Sequence, residues 1–213
     1  RNQLNPPPLR KITDFKSKLT GGGARSNLFE VELAFPSAVS VDGLNDILNK
    51  ARFLVKAANL PASNVAPIEV PFRGRTVKIA GDRTFDTWTT TFFNDKDFRL
   101  RSLFEQWANS INTHEGNTAP LFKPNVDDGY MAHLGVKQLE KDGSEDGSIL
   151  RTYTLKYCFP TNVSQIELAY DSNDQIEEFT VEWQYSFFTA GPAVEGTSAF
   201  ETKSDGATGR VVV

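Results

Sequence analysis

One segment near the carboxyl end alternates apolar and polar side chains through ten positions, from Glu178 to Phe187, without a slip. Because successive side chains of a β-strand point to opposite faces, this pattern predicts a strand with one buried aromatic face and one polar face. The apolar positions are Phe179, Val181, Trp183, Tyr185 and Phe187, and the polar ones are Glu178, Thr180, Glu182, Gln184 and Ser186. A chain with this strand must place a sheet against a hydrophobic core.

Shorter β-like runs recur along the chain and are separated by turn residues such as Gly81-Asp82. A hairpin is expected near the end, with Ile166, Leu168 and Tyr170 in its first strand and the alternating segment as its return. The other runs cover residues 27–35, 52–57, 68–72, 75–80, 85–93, 130–140 and 148–159. About eight or nine strands with one helix predict a mainly β fold, a β-sandwich or barrel-like protomer with one flanking α-helix.

The single predicted helix covers about residues 95–111, and Asn94 or Asp95 is its expected N-cap. Its apolar residues fall on one stripe, which predicts that the helix packs on the sheet. They are Leu100, Leu103, Phe104, Trp107 and Ile111.

Three segments depart from the β pattern and divide the chain. Residues 1–26 form an N-terminal arm with proline and glycine triplets, and we expect the arm to be flexible or to contact another subunit. Residues 36–50 read as an insertion with room for one short helical turn. Residues 189–213 are rich in small and polar residues and read as a C-terminal extension. The β domain between the arm and the extension is residues 27–188.

The net charge of −4 is distributed unevenly. Residues 1–26 carry six basic residues and one acidic residue, whereas residues 157–202 carry eight acidic residues and no Lys or Arg. A nucleic-acid-binding protein concentrates basic residues on its working surface, so the acidic segment argues against that class. The alternative is that the acidic segment is an ordinary solvated face.

The sequence also restricts the compartment. No run approaches the roughly 20 apolar residues of a membrane span, and the N-terminus lacks the apolar centre of a signal peptide. A single cysteine excludes an internal disulfide and fits a reducing compartment. We therefore expect a cytoplasmic product with no membrane partner.

Residues that usually carry catalysis or bind metals are few and scattered. His114 and His133 are the only histidines, and neither has a second His or Cys at metal-ligand spacing. Cys158 ends an apolar strand and is expected to be a buried core residue. The Asp127-Asp128 pair has no visible acid/base partner and is expected to form a turn. We predict no enzyme activity, no metal site and no cofactor.

Several short motifs occur in an order that is similar to one known family. The central motif is AGDRTFDTWTTTFFND at residues 80–95, and others lie at 58–62, 70–75, 160–163 and 171–173. Over about residues 27–188 the chain resembles the tail tube proteins of contractile-tailed, T4-like bacteriophages. The resemblance implies a protomer that forms hexameric rings with a continuous inner β-barrel. These rings would stack into a hollow conduit for DNA in the virion tail, assembled in the host cytoplasm.

The resemblance also implies the partners. They are further copies of the chain, the tail sheath protein, the tape-measure protein, and the baseplate and tail-terminator proteins. DNA would pass through the lumen without specific binding. Two alternatives stay open: a baseplate tube-initiator protein, and the tube of a bacterial contractile secretion or injection system that delivers protein effectors.

Candidate site residues follow from the alternating strand and from the motifs. Glu178, Glu182 and Gln184 are the candidates for the lumen wall, because they share the polar face and an acid-rich bore would repel DNA phosphates. The candidates for contacts between subunits are Asp82, Arg83, Arg10 and Lys11.

Overall fold

The structure is a computed structural model in which most of the chain is described. The described residues are 12–18, 23–37, 39, 41, 43–119, 123–124, 126, 129–141, 149–171 and 173–192. The contact candidates Arg10 and Lys11 lie outside these residues, as do much of the predicted N-terminal arm and most of the predicted C-terminal extension.

Within the described residues the chain forms nine strands and three helices. The strands are β1 Phe29–Glu32, β2 Val55–Ala58, β3 Ser63–Phe72, β4 Arg75–Phe85, β5 Trp88–Phe93, β6 Ala132–Leu139, β7 Ile149–Val163, β8 Glu178–Gln184 and β9 Phe187–Pro192. The helices are α1 Ile12–Lys18, α2 Leu44–Leu54 and α3 Arg99–Ile111. The predicted mainly β class is confirmed.

Strand β7 joins the two halves of the main sheet. Its first ten residues pair with β6, which is followed by β1, and residues 151–156 pair with β9 on the other side. Its last residues, from Phe159 to Val163, pair with β8, which is followed by β5 and β2. All of these pairs are antiparallel. Between the two halves Tyr157 has a φ of 59°, a value that bends the strand and lets it serve both halves.

The core lies between the two halves and beneath α3, and it is built mainly from aromatic rings. Trp183 on β8 contacts Phe104 and Trp107 of α3, with ring centroids 5.5 and 5.4 Å apart. The buried indole nitrogens are paired, since Trp183 Nε1 donates to Thr90 Oγ1 and Trp107 Nε1 donates to the Tyr130 carbonyl. The rings therefore bury large apolar area without leaving unsatisfied donors.

The structure contains more helix than the single helix predicted. The sequence predicts one short helical turn in the insertion, but α2 is 11 residues long. Its last residues, 52–54, are the first three of the run 52–57 that was predicted as a strand. The physical reason is helical spacing, because Ile47 and Ala51 are both buried and Leu44 and Leu54 pack on the same side. Residues 36–50 therefore contribute to the core.

Helix α3 begins at Arg99, four residues later than predicted, and ends at Ile111 as predicted. Neither Asn94 nor Asp95 is its N-cap. The Asn94 side chain donates to the Glu177 carboxylate, and its backbone N–H donates to the Glu177 carbonyl. Phe98 holds the cap position with a φ of 53° and makes no side-chain cap hydrogen bond.

The hairpin predicted between 165 and 187 is wrong in its first strand. Residues 164–171 and 173–177 are irregular, and β8 pairs with β5 and the end of β7 instead. The predicted return strand also ends early, at Gln184. After a break at Tyr185 and Ser186, β9 follows β8 along the same side of β7. On β5, Phe92 stacks on Phe179 and Trp88 lies against Trp183, so a strand distant in sequence packs on the aromatic face of β8.

Replacing one core ring tests how much the helix–sheet contact stabilises the fold. Phe104 is completely buried, so Phe104→Ala is expected to lower the free energy of unfolding by about 3–5 kcal/mol. The matched control is Phe53→Ala, because Phe53 is 87% exposed and its loss is expected to change that energy by less than about 0.5 kcal/mol. Chemical denaturation measures both. Equal effects would contradict the packing described for α3.

Candidate assembly surfaces

The half of the sheet formed by β2, β5, β8 and the end of β7 has one dry face and one polar face. Along β5 and β8 every second side chain is buried, and the intervening ones are partly exposed. We call the exposed side the polar sheet face. Its side chains include Lys56, Ala57, Thr89, Thr91, Phe93, Phe159, Asn162, Glu178, Thr180, Glu182 and Gln184. A surface of this kind tolerates water on one side while the other side packs in the core.

All three lumen candidates lie on the polar sheet face, but their surroundings differ. Both carboxylate oxygens of Glu178 accept hydrogen bonds from Lys56 Nζ at 2.6 Å. Lys56 also lies 5.8 Å from the centre of the Phe93 ring. The charge of Glu178 is thus locally balanced by a lysine that lies 122 residues earlier in the sequence, and sequence reasoning did not identify it.

The other two candidates lie further along β8. Glu182 faces Thr89 across the β5 pairing and Asn162 across the β7 pairing, and no basic side chain within the described part of the chain forms an ion pair with it. Gln184 Nε2 donates to Thr87 Oγ1 at 3.1 Å. Of the two carboxylates, Glu182 is therefore the one without a lysine or arginine partner among the described residues.

This half of the sheet has two open edges. One is the outer edge of β2, and the other is the side of β7 at Phe159–Val163 that does not face β8. No strand pairs with either edge within the described residues. Since each of the three intervening pairs is antiparallel, the two edge strands run in opposite directions. Open edges expose unpaired backbone donors and acceptors that can pair with another chain.

Strands β3 and β4 form a two-stranded hairpin, which we call the ribbon, residues 63–85. It pairs with no other strand in the described part of the chain, and nearly all of its residues are exposed. Arg73 and Gly74 at its tip both have positive φ, as in a type I′ turn. An isolated two-stranded hairpin is marginally stable in water, so an exposed ribbon of this length calls for a partner.

The two faces of the ribbon differ in chemistry. Cross-strand partners share a face, and the pairs Ile68–Ile79 and Val70–Val77 form an apolar face together with Phe72. Their exposed fractions range from 41 to 62%. The opposite face carries the Glu69–Lys78 ion pair, with a nitrogen–oxygen distance of 3.4 Å.

The contact candidates Asp82 and Arg83 lie on β4, near the base of the ribbon, and both are exposed. They are on a different surface from Glu178 and its neighbours. Gly81 beside them has a steric role, since a Cβ atom there would lie 2.7 Å from the Ala66 carbonyl oxygen. The glycine of the central motif thus permits close approach at the bulge in the β3–β4 pairing.

A third surface lies at the start of β8, where the segment 164–177 leaves a groove. We call it the acidic groove. Its volume is about 950 Å³, and its lining includes Leu168, Tyr170 and Ile176, which are 78, 108 and 67% exposed. Acidic side chains share the lining, namely Glu167, Asp174, Glu177 and Glu178. Sequence reasoning missed this groove because it placed a strand at 165–170.

The described residues contain no group of three or more His, Cys, Asp or Glu side chains that could hold a metal ion. His133 Nδ1 accepts a hydrogen bond from the Tyr157 backbone N–H. Lys50 donates to Asp95, and this hydrogen bond lowers the pKa of the Asp95 carboxyl and raises that of Lys50. Burial raises the pKa of the Cys158 thiol to about 12. No helix among the described residues is long and apolar enough to cross a membrane.

Comparison with known proteins gives a consistent result. The sequence pattern of the family described as phage tail tube protein matches residues 24–190. The tail tube protein gp19 of Enterobacteria phage T4 is 35% identical over 162 residues, which cover 76% of this chain and 88% of that protein.

Two solved structures share the fold. A chain in the baseplate of the anti-feeding prophage superimposes with a TM-score of 0.55 at 13% identity, covering 80% of this chain and 97% of that chain. A chain in the sheath–tube complex of the extracellular contractile injection system PVC gives a TM-score of 0.54 at 14% identity, covering 83 and 97%.

The buried thiol yields a direct chemical test. At pH 8 a pKa of about 12 leaves about one Cys158 thiol in 10,000 ionised, and only the thiolate reacts. We expect the folded protein to resist a thiol-specific reagent and to react with one equivalent after denaturation. Spectrophotometric titration of thiols measures both states. Rapid reaction of the folded protein would show that Cys158 is accessible.

Proposed function

Because the chain belongs to the phage tail tube protein family, we propose that it forms hexameric rings that stack into the hollow tail conduit for DNA. The observation that carries this proposal is the polar sheet face between two open, oppositely directed edges. The function is structural, and the protein is a component of the virion tail. We infer that its role is non-enzymatic.

The open edges suggest how a ring closes. If β2 of one protomer pairs with Phe159–Val163 of the next, the two strands run antiparallel, as do all pairs within the protomer. Each further copy related by rotation repeats the same pairing. Closure leaves no open edge in this half of the sheet, which removes the hazard of uncontrolled strand pairing.

The two faces of this sheet fit the two sides of a tube wall. The buried face carries Phe92, Phe179 and Trp183 against α3, so it belongs to the dry interior of the protomer. The polar sheet face would line the bore, where water contacts it. The helix then lies on the side of the sheet away from the bore.

The charges on the polar sheet face support a weakly acidic bore. Its described residues carry two carboxylates, Glu178 and Glu182, and one lysine, Lys56. The lysine is held by Glu178, so phosphates moving along the bore would meet a neutral pair and the free Glu182 carboxylate. Such a wall repels DNA weakly, and its one described lysine is engaged by the Glu178 carboxylate.

The solved neighbours indicate which partners to expect. One belongs to a baseplate and the other to a sheath–tube complex. By analogy this chain would contact further copies of itself, a tail sheath protein, and baseplate and tail-terminator proteins. A tape-measure protein would occupy the lumen during assembly, and DNA would replace it during ejection.

The two alternative functions share this fold. The injection-system and baseplate chains match at 13–14% identity, which indicates a common architecture alone. The relative from phage T4 matches at 35% identity over most of both chains. That difference favours the phage tail tube over a tube-initiator or a tube that delivers protein effectors.

Negative-stain electron microscopy of the purified protein tests the proposed function. We expect hexameric rings or tubes of uniform bore, because the sheet edges are open in the single protomer. Mass photometry at the same concentrations gives the subunit number. A monomer that persists at high protein concentration would refute the proposal.

Charge changes in the bore test the polar sheet face. Glu178→Gln and Glu182→Gln each remove one carboxylate, but only the first releases Lys56 to bind phosphate. We expect Glu178→Gln to slow DNA ejection from assembled virions severalfold, with less slowing at high salt, and Glu182→Gln to have a smaller effect.

Lys56→Gln is the matched control for these variants. It removes the only cation of this face among the described residues, so ejection is expected to be at least as fast as in the wild type. Time-resolved release of DNA from purified particles measures all three rates. Equal rates for Glu178→Gln and Glu182→Gln would place the Lys56–Glu178 pair away from the DNA.

A further inference from the structure

We propose that Phe53 of one protomer fills the acidic groove of the neighbouring protomer in the same ring. This inference rests on the proposed tail tube function, in which β2 of one copy pairs with Phe159–Val163 of the next. The occupant of the groove is thus a side chain from a second copy of this chain. Three observations support the inference: the exposure of Phe53, the direction of the paired strands, and the charges around the two surfaces.

Phe53 is a large apolar side chain that its own protomer leaves uncovered. It lies in the last turn of α2, and its exposed fraction is 87%. At about 100° per residue it lies about 160° around the helix from Ala51 and about 120° from Ile47, the two buried residues of α2. Phe53 therefore points away from the core, directly before the open edge strand β2. Burial of this phenyl group by a second chain would stabilise the contact between the two.

The acidic groove has apolar walls and enough room for a phenyl group. Its apolar lining includes Leu168, Tyr170 and Ile176, all of which are mostly exposed in the single protomer. Phe53 is not among the residues that line the groove of its own protomer, because β5 and β8 lie between β2 and the segment that begins at residue 164. Exposed apolar surface of this kind marks an interaction site.

The strand pairing within the protomer predicts where Phe53 would lie on the neighbour. One row of strand partners crosses this half of the sheet, namely Ala58, Thr90, Val181 and Val163. If this row continues into the next copy, Ala58 of one protomer lies opposite Val163 of the other. The two strands run antiparallel, so five residues back from Ala58 lie opposite five residues forward from Val163. Those steps end at Phe53 and at Leu168 of the acidic groove.

The charges around the two surfaces are complementary. Residues 50–56 carry three basic residues and no acidic one, whereas residues 164–178 carry five acidic residues and no basic one. Arg52, next to Phe53, is half exposed, and the nitrogen–oxygen distance of its ion pair within the protomer is 3.4 Å. Glu167 and Asp174 of the groove form no ion pair with a Lys or Arg among the described residues. Opposite charges around an apolar contact steer the association of two surfaces.

This contact would select one register for the pairing of neighbouring protomers. The backbone groups of two strand edges repeat every two residues, so the edges alone permit several shifted pairings. Only one of these pairings places Phe53 in the groove. A closed ring needs the same pairing at every interface, because its protomers are related by rotation. Phe53 is therefore a positioning residue for ring closure.

The contribution of the phenyl group to ring formation can be measured with Phe53→Ala. Phe53 is exposed in the single protomer, so the variant is expected to keep the stability of the protomer. We expect it to raise the protein concentration at which half of the protomers are in rings by about tenfold or more. Phe53→Leu should restore most of the ring formation. Mass photometry over a dilution series measures this concentration for each variant.

Phe187→Ala is the matched control for this measurement. It also removes a partly exposed phenyl group, but Phe187 lies on β9, in the other half of the sheet. The control should form rings at the same concentration as the wild type. Equal effects of Phe53→Ala and Phe187→Ala would contradict the role of Phe53.

Disulfide cross-linking tests the contact directly. A chain that carries both Phe53→Cys and Leu168→Cys is expected to give a ladder of covalent oligomers on oxidation. The ladder should end at the hexamer, because each protomer would be linked to its two neighbours in one closed ring. Each single variant should give no ladder, and the native Cys158 is buried and should not interfere. Non-reducing denaturing gel electrophoresis measures the length of the ladder.

The outcomes separate this inference from the proposed function. Wild-type protein that forms no rings would refute the proposed function, whereas a double variant that forms rings and gives no ladder would refute only the present inference. A ladder that extends beyond six subunits would also overturn it, because the contact would then lie between rings. A monomer cross-linked within itself would overturn it by placing both residues at one site of a single protomer.

Discussion

The contact between β8 and α3 determines what the rest of the protomer can do. Trp183 packs on Phe104 and Trp107, so one side of the sheet is dry and completely covered by the protomer itself. The opposite side of the same strand has mainly polar neighbours and remains open to water. When one face of a sheet is buried by the protomer itself, the other face can be hydrated and can line a channel. The stability of the sheet then does not depend on what passes along the hydrated face.

The sequence allowed prediction of features that depend on local periodicity. The two faces of β8 followed from alternation alone, and so did the common face of Glu178, Glu182 and Gln184. The stripe on α3 likewise predicted the helix that covers the core. These patterns are local because one strand or helix contains all of the information.

Features that depend on distant partners could not be predicted from the sequence. Lys56 binds Glu178 across 122 residues, and no local pattern indicates that contact. The segment 165–170 alternates like a strand, yet β8 finds its partners in β5 and β7, and the segment becomes the lining of a groove. Asn94 bonds to Glu177 and Asp95 to Lys50, both distant in sequence, and α3 starts only at Arg99.

The bend in β7 has a mechanical consequence. A single strand of 15 residues belongs to both halves of the sheet and turns between them at Tyr157. The two halves are therefore connected by covalent bonds as well as by side-chain packing. A force applied along the polar half reaches the other half through the backbone itself, so the two halves cannot slide past each other without unfolding the strand that they share.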